Sequence, residues 1–118
     1  MIVKILGRQN RSSAKVGILR ILGIDPGSHI TGYGVIDKSG NYLRHVVHGE
    51  IKPRRDSLLS VVLMDISRSL RAVIADTNPQ AVGLENIFYG KNVRSLIRQA
   101  QVRGVVILTC AEKAIPVF

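Results

Sequence analysis

Between Ile21 and Ile74 the hydrophobic period changes once, from two residues to about 3.6, and that switch limits what the chain can fold into. Ile21, Leu22 and Ile24 suggest a short buried strand ending near Asp25. "TGYGVID" follows with Tyr33, Val35 and Asp37 on one parity, and "KSGN" reads as a turn. "YLRHVVHGEI" then gives a third strand with Leu43, His45, Val47, Gly49 and Ile51 on one side. Three strands joined by short turns make an antiparallel meander.

The longer period begins after "KPRR". Leu59, Val62, Leu63, Ile66, Leu70, Val73 and Ile74 recur at helical spacing, so an amphipathic helix is expected over 57–76, capped by Asp56 or Ser57. Pro79 breaks it. "QAVGLE" is a short fourth strand, "NIFYGKN" a loop, and 93–113 a second helix. The apolar residues Val93, Leu96, Ile97, Ala100, Ile107, Leu108 and Ala111 are expected to form that helix's inner side. "IPVF" begins a fifth strand. The order β-β-β-α-β-α-(β) fits an α/β layered fold with a mixed sheet.

Composition narrows the partners. Of 118 residues, 46% are hydrophobic, enough for one folded domain, and 17 Lys and Arg against 8 Asp and Glu leave a net charge of +9. Such a balance favours an anionic partner. Five of the nine net charges come from Lys4, Arg8, Arg11, Lys15 and Arg20, so residues 1–18 are expected to be a flexible basic extension and 19–118 the domain. The single cysteine, Cys110, forbids an intrachain disulfide, suits the reducing cytoplasm, and sits in an apolar run as a buried thiol. No apolar run approaches the roughly 18 residues of a membrane span.

Asp25 and Glu85 each end an apolar strand. Asp-Pro-Gly is commonly only a turn, and a terminal Glu is commonly only solvated. If the fourth strand lies beside the first, however, the two carboxylates meet at one edge of the sheet. Like charges that close repel unless a cation joins them. Mg²⁺ is suited to this, taking oxygen ligands while keeping waters for a phosphate substrate. On the second helix Arg94, Arg98 and Gln101 continue a basic face from Lys91. Charges on an outer helix face are the ordinary solvated case, but 91–103 contains no acid to mix the sign, which suits phosphate contact. His45 and His48 look like strand-surface residues without a zinc-ligand pattern.

"ILGIDPGSHITGYGVID" and "GLENIFYGKNVRSLIRQAQVRGVVI" together resemble the RuvC family of Holliday-junction resolvases, within the RNase H-like fold, over about 19–118. Glu-x-x-Phe-x-x-Lys-Asn followed by a Gln-x-x-Gly helix is the specific part. The resemblance implies a Mg²⁺-dependent endonuclease acting on four-way DNA junctions, with Asp25 and Glu85 as catalytic acids and metal ligands. It implies that Phe88 inserts at the junction and stacks on a base, with Tyr89 beside it, and that Thr31 and Lys91 lie near the DNA. His29 stands where many relatives carry Arg. The family forms homodimers, works with a branch-migration motor and holds two ions using two further acids on a helix beyond the position of Phe118. These 118 residues alone are therefore expected to cleave weakly or not at all. Two alternatives remain: a junction-binding module without catalysis, and an actin-like nucleotide-binding domain in which "GIDPG" is a phosphate loop.

Overall fold

A computed structural model describes residues 17–87 and 92–118. The extension expected over 1–18 lies almost wholly outside those residues. Strands β1 (Leu19–Asp25), β2 (Thr31–Ser39) and β3 (Tyr42–Ile51) form the meander, with Gly40 turning the β2–β3 hairpin at φ 58°. Helix α1 (Leu59–Thr77), strand β4 (Ala81–Leu84) and helix α2 (Val93–Glu112) follow. The strand order is β3-β2-β1-β4, antiparallel except for the parallel β1–β4 pair. Beyond α2, Val117 bridges Val82 in parallel, the start of the fifth strand expected from "IPVF".

Both helices cover one face of the sheet. Leu22, Ile24, Val35, Val82 and Leu84 meet Val62, Ile66, Leu70 and Ile74 of α1 and Val102, Val106 and Cys110 of α2 in one core. The helices are also joined by Ser67 Oγ and Thr109 Oγ1 at 2.9 Å. Burial pushes the Cys110 thiol up to about 11, so it stays protonated and inert. At the rim of this face Asp37, nearly buried, accepts from Arg20 at 2.7 and 2.9 Å, while Arg20 also donates to the Thr77 carbonyl at the end of α1. That guanidinium, helped by Arg44, holds the Asp37 carboxyl below the usual carboxylate range against the opposing effect of burial. The other face carries a smaller cluster of Ile21 and Ala81 with Leu19, Ile36 and Phe118.

Three expectations are corrected. The α1 N-cap is Leu58, with no side-chain bond, because Asp56 turns left-handed at φ 51° and Ser57 donates to the Arg55 carbonyl instead. A register shift between Val35 and Ile36 leaves Val46 as the extra residue of a bulge in β3. Val47, Gly49 and Ile51 keep the helix side, whereas His45 and Leu43 turn to the opposite face. His45 thereby joins His48, their rings meeting with Nε2 and Nδ1 2.8 Å apart. The third concerns α2, which buries Val102, Val106, Thr109 and Cys110. The residues expected inside lie largely outside, with Val93, Ile97, Ile107 and Leu108 between 37 and 60% exposed.

Candidate metal and nucleic-acid site

Parallel pairing places the two carboxylates. Ile21, Leu22, Gly23 and Ile24 stand beside Ala81, Val82, Gly83 and Leu84, and the Glu85 N–H donates to the Ile24 carbonyl at 3.2 Å. The next residues in register are Asp25 and Glu85. Alternation sends both to the face opposite the helices, since Leu22, Ile24 and Leu84 point into the helix-side core. Two residues back on that face, Gly23 lies between Gly83 and Gly34, leaving a strip without side chains below the carboxylates.

Both carboxylates are exposed, and no described side chain bonds or pairs with either. Their oxygens are free to bind a hard cation that keeps several waters, so the donor set fits Mg²⁺. Among the described residues no group of three or more His, Cys, Asp or Glu is close enough to share an ion. One acid that the sequence did not single out stands on the same face. Gly32 pairs with Asp25 on one side and with Glu50 on the other, so Glu50 is two strands away.

The loop after Asp25 is held from within. The Thr31 hydroxyl donates to the Gly27 carbonyl at 2.7 Å and receives the Gly27 N–H at 3.3 Å, and Thr31 is fully buried. Its place is therefore inside the loop rather than at a ligand-facing surface. A Cβ at Gly27 would land on the Ile30 carbonyl oxygen, so only glycine fits this turn. From the other side α2 is tied to both strand ends, Gln99 donating to the Pro26 carbonyl and Arg103 to the Glu85 carbonyl, each at 3.4 Å. Asn92 caps α2 by accepting from the N–H groups of Arg94 and Ser95.

His29 is exposed at the loop tip. It lines two cavities, of about 670 and 510 Å³, together with Arg98. Arg94 lines the smaller one. The basic edge anticipated on α2 is thus brought to the loop after Asp25. Phe88, Tyr89 and Lys91 lie outside the described residues. Sequence reasoning missed Lys52 and Arg55, which line the larger cavity. Their signal was the run "KPRR" before α1, noted there only as a prelude to the helix. No described helix is long and apolar enough to cross a membrane.

The profile of the family described as "Crossover junction endodeoxyribonuclease RuvC" matches residues 21–118. The RuvC protein of Syntrophotalea carbinolica is 46% identical over 99 residues, covering 84% of this chain and 62% of the relative. That of Geotalea uraniireducens is 45% identical over 100 residues, covering 85% and 58%. The chain thus spans about three-fifths of the length of these curated relatives. Among solved structures, Thermus thermophilus RuvC in complex with a Holliday-junction substrate superposes with a TM-score of 0.76 at 21% identity, over 85% of this chain and 62% of that one. The yeast mitochondrial Holliday-junction resolvase Ydc2 gives 0.63 at 17% identity, over 98% and 57%. At those identities the structures establish the shared RNase H-like fold.

Proposed function

The chain belongs to the RuvC family, and on that premise we propose that it works on four-way DNA junctions as a Mg²⁺-dependent endonuclease of recombination and repair. The observation that carries this is the adjacency of Asp25 and Glu85, both exposed and engaged by no described side chain at one edge of a basic domain. Bound there, Mg²⁺ would supply a Lewis acid and an activated water for phosphodiester hydrolysis. The side chains of Asp25 and Glu85 would hold the ion, and the Gly27–Thr31 clasp keeps the loop beside Asp25 in place. Arg94 and Arg98 meet backbone phosphates next to the scissile one, with His29 at the loop tip. By family resemblance Lys91 adds to them, and Phe88 with Tyr89 stacks on bases opened at the junction, worth about 1–3 kcal/mol per base.

A homodimer is part of the same proposal, because a four-way junction presents two symmetric strands. A seam on the outside of α2 supports it. Val93, Ile97, Ala100, Gly104, Ile107 and Ala111 follow one another at alternating intervals of four and three residues, the spacing of a helix–helix contact. Gly104 has no described neighbour within 4 Å of where a Cβ would stand, so no described residue requires a glycine there. A glycine within a helix costs about 1 kcal/mol relative to alanine, and on this seam it allows close approach of a second helix. A branch-migration motor is proposed as a further partner on family grounds alone.

A second possibility is a junction binder without catalysis, favoured by one observation: no third described ligand joins Asp25 and Glu85. Incubating the protein with a synthetic four-way junction, with and without Mg²⁺, beside Asp25→Asn separates the two. Metal-dependent cleavage lost in the variant supports the nuclease. Binding of the junction without any cleavage supports the binder.

A further inference from the structure

The two cavities beside the Asp25 loop share Ser28, His29 and Arg98, so they form one trough. At one end it touches Pro26 and Gly27, next to Asp25, and Arg94 at the start of α2. At the other it runs between the loop and the β3–α1 connection, where Lys52, Arg55 and Asp56 line it. The side chains of Lys52 and Arg55 are exposed and make no hydrogen bond or ion pair with any described residue. Arg98 is half-buried and equally unpaired.

Both walls are braced. Arg54, which also lines the trough, is paired within the chain: its N–H, Nε and Nη2 donate to the Asp65 carboxylate of α1 at 2.9, 3.0 and 2.8 Å. That clamp fixes the connection, and Lys52 and Arg55 flank it. The opposite wall is held by Thr31 on Gly27 and by Gln99 on Pro26. The cations stand on two separate elements, Lys52 and Arg55 on the β3–α1 connection and Arg94 and Arg98 on α2. A chain of phosphates running along the trough meets both sets in succession.

The geometry points to this trough as a backbone-phosphate track for the DNA arm that leaves the Asp25–Glu85 edge, with Lys52 and Arg55 as its outer contacts. This deepens the proposed function and assigns to the β3–α1 connection a role in substrate binding. Such contacts position the duplex without reading its sequence.

The test is the salt dependence of binding. Wild-type protein and Lys52→Ala/Arg55→Ala would be titrated by fluorescence anisotropy against a labelled four-way junction and a linear duplex of the same arm sequence, between about 50 and 200 mM salt. Each lost phosphate contact removes about 0.9 from the slope of log K against log salt, so the double variant is expected to bind more weakly with a slope shallower by about 1.8. Lys113→Ala, at the far end of α2, should keep the wild-type slope. If the alanine variant melts differently from wild type, Lys52→Gln/Arg55→Gln replaces it, removing charge while retaining length. An unchanged slope in the folded double variant overturns the track. So does competition by an acidic peptide as effective as that by duplex DNA. A shallower slope on duplex without wild-type preference for the junction keeps the track and sinks the junction assignment. No DNA binding at all sinks both.

Discussion

Glu85 donates its backbone N–H to the carbonyl oxygen of Ile24 at 3.2 Å, and this bond sets the register in which Asp25 and Glu85 become neighbours. Neither carboxylate is engaged by a described side chain, so both are open to an ion. Mn²⁺ titrated as a stand-in for Mg²⁺ and followed by electron paramagnetic resonance should bind the wild-type protein. Asp25→Asn and Glu85→Gln should each weaken that binding about tenfold or more, the loss of one charged ligand from a hard-cation site. Equal binding by all three proteins would remove the pair from the metal site.

Gly27→Ala should impair DNA binding and cleavage more than its single methyl suggests. The new Cβ meets the Ile30 carbonyl, a backbone atom that cannot swing away. The loop must reopen, and Thr31 then loses its bonds to Gly27. Amide exchange should accelerate in residues 26–31 while α1 remains protected. Protection unchanged in that loop would contradict the proposed clasp.

Stability should fall in acid through the Arg54–Asp65 clamp. Hydrogen bonds from the Arg54 side chain, and then from its backbone N–H, hold the Asp65 carboxyl at about 2 against an ordinary 3.8. A group lowered in the folded state contributes stability that is complete above its unfolded value and lost as pH falls through the folded one. The wild-type Tm should therefore decline as pH falls from about 4 toward 2, with Asp37 adding in the same direction. Asp65→Asn should start lower and decline less steeply. Parallel curves for the two proteins would show that the clamp contributes nothing.

Leu70 is fully buried where α1 meets the sheet and α2. Leu70→Ala should cost about 2–5 kcal/mol through lost burial and the cavity left behind. For a domain of this size that is a fall in Tm of roughly 10 °C or more. A smaller loss in calorimetry would mean that the neighbouring side chains collapse into the space.

Ile97, 54% exposed on α2, should not matter to the fold of one chain but should matter to pairing. Ile97→Glu places a charge on the proposed seam, and analytical ultracentrifugation should show the wild-type dimer become a monomer with the same far-ultraviolet dichroism. A wild-type protein that sediments as a monomer at every concentration would refute the seam.

Local chemistry decided what was legible in the sequence. The meander, α1 and the fourth strand follow from alternation, helical spacing and turn residues, all set by near neighbours in the chain. The adjacency of Asp25 and Glu85 followed once β4 was placed beside β1. Tertiary structure decided where those rules allowed two answers. Helix α2 carries two apolar stripes, and periodicity cannot say which one is buried. Packing against α1 and β4 chose Val102, Val106 and Cys110, leaving Ile97 and Leu108 outside. The bulge at Val46 shifted parity by one residue and so brought His45 to the face of His48. The run "KPRR" marks Lys52 and Arg55 as basic, but nothing in the sequence places them beside Arg98 and His29, which come from two other elements. Only the fold brings these side chains to one trough, and the Arg54–Asp65 clamp holds the connection that carries Lys52 and Arg55.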